Sequence, residues 1–239
     1  MEPIKKYCMK VMRLNGDLNN SVKDLKGIHI LNSMKRKILL SLGLILAGVI
    51  ARLWLYNIMP STPHIYITLA GIKQPMFMMD VFFVIAAISL ITGRYLGSHF
   101  TFIIPLAIMG ITDAIIGNTA IFLFTWSGFA MMAAIGYTSR GHGFTNFFGR
   151  SIFAVITYDI WTNFGSWLGW YNHDLNGLLL CYTLAIPFML WHLLSTMLLL
   201  PVMAMPLERL QEHGYEMISK KAVVSPIMAL MAVSIISLL

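Results

Sequence analysis

Six long apolar runs, broken by short polar or glycine- and proline-bearing segments, dominate this chain and restrict what it can fold into. They extend from Ile38 to Ile58, Met78 to Gly93, Phe100 to Gly117, Thr119 to Tyr137, Ser151 to Trp170 and Gly177 to Leu200, and a shorter run from Ala222 to Leu239 is a candidate seventh. A hydrocarbon core about 30 Å thick takes roughly 20 apolar residues of helix. Within it every backbone N–H and C=O must be bonded inside the protein, so a spanning run is either a helix or a strand of a closed barrel. Barrel strands alternate apolar and polar residues, whereas these runs are apolar throughout. The expected fold class is therefore all-α and integral to the membrane, a six-helix bundle with a candidate seventh helix at the carboxyl end.

Composition points the same way. Hydrophobic residues make up 58% and charged residues 11% of the chain, against about 45 to 50% and about 25% in soluble domains. In 239 residues, that many spans leave little for a domain outside the lipid. The expected organisation is a basic leader over 1–37, a six-span domain over 38–204, a cytoplasmic linker over 205–221 and the candidate span over 222–239. With the amino terminus inside, fifteen Lys and Arg residues fall on the cytoplasmic side and only Lys73 outside. Cytoplasmic loops carry such an excess, so the expected location is the cell membrane, multi-pass, with the amino terminus in the cytoplasm. The basic charge then reflects topology, and no nucleic-acid partner is expected.

The leader has three readings. Ile4, Tyr7, Cys8, Val11 and Met12 share a helical face beside Lys5, Lys6, Lys10 and Arg13, which suits a helix lying on anionic lipid. A frayed basic tail accounts for it equally, and a translation start at Met34 is a third reading. Cys8 and Cys181 define no disulfide framework. The seven histidines show no ligand spacing, so no metal and no cofactor are expected. The connection from Met59 to Phe77, punctuated by Pro60, Pro63, Gly71 and Pro75, is placed to fold over an outer cavity.

Ionisable residues inside a membrane are costly, and they normally face the bundle interior and mark a site or a structural pair. Arg52, Asp80, Asp113 and Asp159 are the informative ones. At ~1.5 Å per residue, Arg52 lies roughly 21 Å up the first span and Asp113 roughly 20 Å up the third, at matching depth. In the fifth span Asp159, Thr162, Asn163, Ser166 and Trp170 share one helical face, with the flat rings of Trp161, Trp167 and Tyr171 nearby. Those rings suit a planar organic solute, although Trp167, Trp170 and Tyr171 also fit an interfacial aromatic belt. Gly43, Ala47 and Ala51 form a small-residue stripe that permits close approach of another helix, inside or outside the bundle.

With the spans placed, the chain resembles the substrate-binding (S) subunits of energy-coupling factor (ECF) transporters, and in particular an uncharacterised family of small membrane proteins allied to them. The resemblance covers Ile38 to Leu200. It rests on Thr162-Asn163-Phe164-Gly165 with Trp167, Tyr171, Gly177-Leu178, Cys181-Tyr182 and Ala185-Ile186-Pro187-Phe188. A second stretch runs from Gly93-Arg94-Tyr95-Leu96-Gly97 through Pro105-Leu106 to Asp113 and Gly117. The resemblance implies a six-helix subunit that is not an enzyme and captures a vitamin or related micronutrient from outside. It implies as partners a transmembrane coupling subunit, docked through Ala47 and Ala51, and cytoplasmic ATPases. Arg52, Asp113, Asp159, Asn163, Trp167 and Tyr182 are then expected around an outer-half cavity. Arg52 would fix an anionic or carbonyl group or neutralise Asp113, Asp159 and Asn163 would supply hydrogen bonds, and Trp167 and Tyr182 would stack on a ring. The alternatives are a structural or assembly protein, which predicts no outer cavity, and a membrane enzyme using Asp113 and Asp159. For the enzyme no nucleophile elbow, phosphate loop or acidic metal cluster is found.

Overall fold

The computed structural model describes residues 34–35, 37–54, 66–75 and 83–212. The leader before Met34, Asp80, part of the 59–77 connection and the candidate span from Ala222 to Leu239 lie outside the described residues. The described chain is mostly helical: α1 (Lys37–Trp54), a hairpin of β1 (Tyr66–Leu69) and β2 (Ile72–Pro75), α2 (Val84–Ile91) continued by a π-helical turn (Thr92–Leu96), α3 (Phe100–Ile116), α4 (Phe122–Thr138), α5 (Phe144–Trp170) and α6 (Leu175–Glu212). The described residues up to Leu42 belong to one unit and those from Gly43 onward to a second. In the first, the Ser41 hydroxyl donates to the Lys37 carbonyl one turn back at 2.7 Å.

Two helical stretches, Lys37–Trp54 and Leu175–Arg209, are long and apolar enough to cross a membrane. Val84–Leu96, Phe100–Ile116 and Phe122–Thr138 are apolar but shorter. Helix α5 has the length, at 27 residues, but its polar stripe lowers its hydropathy.

Helix α4 is the hub, packed on α2, the π-helical turn, α3 and α5, while α6 closes against α5 and α2. Glycines set its distance from α2. A Cβ on Gly93 would stand 1.9 Å from the Ala133 carbonyl oxygen, and one on Gly136 would stand 2.4 Å from the Leu90 carbonyl oxygen. The two backbones therefore meet almost directly, as small-residue contacts allow. Ile88, Leu90, Ile91, Ile104, Ile108 and Met132 fill the surrounding core. On their other sides the helices leave large apolar residues uncovered, among them Leu46, Ile50, Trp54, Phe153, Leu190 and Leu198.

One end of the bundle is tied by Arg94, buried on the π-helical turn. Its guanidinium donates to Glu208 Oε1 at 2.8 Å and to the carbonyls of Ser139 and His142 at 2.7 and 2.9 Å. The Tyr95 hydroxyl donates to Glu208 Oε2 at 2.5 Å. This explains why α6 continues through 205–212, a stretch that the apolar pattern assigns to a linker. The extension carries the carboxylate that neutralises Arg94.

The 59–77 connection, read from its prolines and glycine as irregular, contains the β1–β2 hairpin, with Leu69 opposite Ile72. Its two turn residues, Ala70 and Gly71, both have positive φ, 51° and 77°, the requirement of a two-residue turn matched to strand twist.

Substituting Gly136→Ala should destabilise the purified protein by about 1–3 kcal/mol through overpacking, lowering its melting temperature. Gly149→Ala, where a Cβ meets nothing within 4 Å, should not.

Candidate functional site

Helices α5 and α6 lie side by side, joined by a tight turn in which Asp174 Oδ1 accepts from the Gly177 backbone N–H at 2.6 Å. That bond satisfies one of the orphan N–H groups at the start of α6. Just inside the turn, α4, α5, α6 and the β2 strand enclose a cavity of about 380 Å³, within the usual range of about 300–1,000 Å³ for small-molecule sites. Its polar wall is the α5 stripe of Asp159, Thr162, Asn163 and Ser166, and its apolar wall is Leu184, Ala185 and Phe188 of α6. Tyr158, Trp170 and Tyr171 add aromatic surface, and Gln74 reaches in from the hairpin. At Tyr171, burial pushes the phenol pKa upward, with Cys181 adding to the shift. The phenol therefore stays a neutral O–H at ordinary pH.

Asp159 is 2% exposed and its Oδ1 lies 2.6 Å from His192 Nδ1 on α6. The imidazole is held flat against Phe83, with ring centroids 4.1 Å apart and planes 17° from parallel, and edge-on to Tyr158. A buried carboxylate needs such a partner, and the stack fixes which ring edge it meets. The Asn163 amide donates to the Asp159 carbonyl at 2.7 Å. Of the six residues assigned from sequence to one cavity, Asp159 and Asn163 line this one.

Arg52 and Asp113 belong to a separate cluster. Arg52 Nη1 donates to Asp113 Oδ1 and to Thr112 Oγ1, and the indole N–H of Trp126 donates to Asp113 Oδ2 at 2.7 Å. The carboxylate is thus neutralised by α1 and capped by α4. Neither Arg52 nor Asp113 lines the cavity.

Trp167 and Tyr182 stand outside the lining as well. The Trp167 indole donates to the Asn172 carbonyl at 2.9 Å and so braces the α5–α6 turn. The Tyr182 hydroxyl donates to the Ile160 carbonyl at 2.7 Å, pinning α6 to α5. Ala47 is exposed on α1, while Ala51 is half-buried. Gly48, one residue on from Ala47, is the position that packs inward, against Ile108 and Ile88.

A family model described as a family of unknown function (DUF6580) matches residues 32–222. The chain belongs to DUF6580. No curated protein and no solved structure matches it. The DUF6580 match spans α1 through α6, so both polar clusters and the cavity lie within the family region.

His192 is the principal site residue that sequence reasoning passed over. Its signal was present: Cys181, Ala185, Phe188 and His192 fall at i, i+4, i+7 and i+11 and form one face of α6, with the same repeat as the α5 stripe. Trp126 carried no comparable signal, because its role depends on how α4 is rotated against α3. Among the described residues no group of three or more His, Cys, Asp or Glu side chains is arranged to hold a metal ion.

Substituting Arg52→Leu should cost roughly 3 kcal/mol or more, because it leaves the Asp113 carboxylate buried without its countercharge. Arg52→Leu combined with Asp113→Leu should lose clearly less than the sum of the single changes. Melting curves of the four proteins in a double-mutant cycle check this.

Proposed function

We propose that this DUF6580 protein is a multi-pass membrane protein that captures a small organic solute from outside the cell, as the substrate-binding subunit of an ECF-type importer. The cavity between α4, α5 and α6 carries the reading. It combines a polar helical face, an apolar face and aromatic rings in a volume suited to a small molecule, the usual make-up of a ligand site.

Three observations support the membrane setting. Large apolar side chains project unpaired from α1, α3, α5 and α6, more than soluble monomers commonly leave exposed. The stretches Lys37–Trp54 and Leu175–Arg209 have the length and apolarity of spans. The basic residues divide fifteen to one between the two sides of the expected topology, and in that topology the cavity and the Gln74-bearing hairpin open to the outside.

The transport role rests on the resemblance to S subunits. A vitamin or related micronutrient is the solute class this implies, and a transmembrane coupling subunit with cytoplasmic ATPases would supply the energy. The exposed side of α1, with Ala47 beside Leu46 and Ile50, is available for the coupling subunit. An assembly factor with only packing faces has no use for such a cavity. A two-aspartate enzyme is disfavoured because Asp113 and Asp159 sit in different clusters, each with its own partners.

Topology is checked by membrane-impermeant maleimide on intact cells, with the native cysteines replaced: Lys73→Cys should label and Asn146→Cys should not. Mass spectrometry of the gently purified protein should reveal a bound small molecule together with the ATPases. Asn163→Ala should weaken its retention roughly two- to tenfold. Trp167→Ala should lower stability more than retention.

A further inference from the structure

Among its described lining residues the solute cavity presents mainly hydrogen-bond acceptors, and the one basic side chain there, His192, is already held at Asp159. The donors of the α5 stripe and of Cys181 are already committed to backbone carbonyls. The Thr162 hydroxyl donates to Tyr158 at 3.0 Å, the Ser166 hydroxyl to Thr162 at 3.0 Å, the Asn163 amide to Asp159 at 2.7 Å and the Cys181 thiol to Asn163 at 3.4 Å. A carbonyl can only accept, so the Asn163 nitrogen must be the atom facing it. The amide oxygen Oδ1 and the hydroxyl lone pairs are what these groups still offer.

Asp159 extends the pattern. His192 occupies its Oδ1 at 2.6 Å, while Oδ2 has no hydrogen-bond partner among the described residues. In the tautomer that donates Nδ1–H to Asp159, the His192 ring presents Nε2 as a further acceptor. The donors still open, on Gln74, Trp170 and Tyr171, belong to the hairpin and the α5 C-terminus. Arg52 is engaged at Asp113, and Lys73 lies over the Tyr66 ring at 4.4 Å within the hairpin. Neither is among the lining residues.

An anion entering this cavity would meet a buried carboxylate and a row of lone pairs, and the one basic group among the described lining residues, His192, is already engaged by Asp159. A cation carrying N–H groups would meet the reverse, with the faces of Tyr158, Trp170 and Phe188 for cation–π contact. We infer that the cavity selects a small, flat, cationic nitrogen compound bearing N–H donors, an amidinium or protonated amino-heterocycle, anchored by Asp159 Oδ2 and aligned by Asn163 and Ser166. This rests on the cavity being a solute site, and it adds the charge and hydrogen-bonding sense of the solute.

Three probes of nearly equal size separate the possibilities: benzamidine (cationic, N–H donors), benzamide (neutral) and benzoate (anionic). Their binding to the full-length protein in phosphatidylcholine nanodiscs is measured by calorimetry. Benzamidine should bind about tenfold or more tighter than benzamide, the worth of a charge-assisted hydrogen bond, and benzoate should bind weakest. Asp159→Asn, which keeps shape and a hydrogen-bonding group beside His192, should abolish the preference for benzamidine over benzamide. Ser166→Ala, which leaves the Asp159–His192 pair untouched, should weaken benzamidine a few-fold. Benzamide or benzoate binding as tightly as benzamidine would overturn the inference and leave the solute-site reading standing. Binding of none of the three, with no small molecule copurifying, would remove both. Loss of benzamidine binding when phosphatidylethanolamine replaces phosphatidylcholine would reassign the site to a lipid amine and overturn the solute assignment.

Discussion

A charged side chain buried among apolar helices must meet its partner inside the protein, because leaving it unpaired costs several kcal/mol. Among the described residues, three such meetings hold this bundle together. Arg52 of α1 reaches Asp113 of α3, Arg94 at the end of α2 reaches Glu208 near the end of α6, and Asp159 of α5 reaches His192 of α6. The first two join helices remote in sequence and the third fastens consecutive ones, and each is reinforced by a ring or a carbonyl: the Trp126 indole, the Ser139 and His142 carbonyls with the Tyr95 hydroxyl, and the Phe83 stack. Apolar packing alone would tolerate some sliding or rotation of one helix on another. These pairs do not, since a helix turned by one residue would separate its charge from its partner.

The pairs also divide the polar residues by role. At Asp113 both carboxylate oxygens are engaged, one by Arg52 and one by Trp126, so the group is electrostatically complete. At Asp159 one oxygen is engaged and the residue lines a cavity. The first arrangement closes a structural contact, while the second leaves acceptor capacity beside open space. Hence the solute site is proposed at α5 and α6, although Arg52 and Asp113 are equally unusual residues for an apolar run.

Several features were legible before any tertiary contact was known. Within the described residues the six long apolar runs became helices, with shifted boundaries: α5 starts at Phe144 rather than Ser151, and α6 runs on to Glu212, past the carboxylate that meets Arg94. The stripe from Asp159 to Trp170 was readable because helical periodicity puts its members on one face. The face holding His192 was readable by the same rule, but the neighbouring leucines and prolines masked it as ordinary apolar helix. Matching depth suggested that Arg52 and Asp113 could meet. It could not show that they would be withdrawn from the cavity in doing so.

The amino-acid sequence by itself determined where the helices lie along the chain and which polar residues would need an explanation, because both follow from local periodicity and from the cost of placing charge among apolar residues. Only the tertiary structure decided which of those residues share a cavity. Trp167 and Tyr182 carry the right chemistry for stacking, yet their polar atoms turn to the Asn172 and Ile160 carbonyls, whereas His192 arrives at Asp159 from 33 residues away. The physical reason is that the rotation of each helix about its axis is a collective outcome of glycine contacts, ring stacking and buried pairs contributed by the whole bundle. No single segment encodes it.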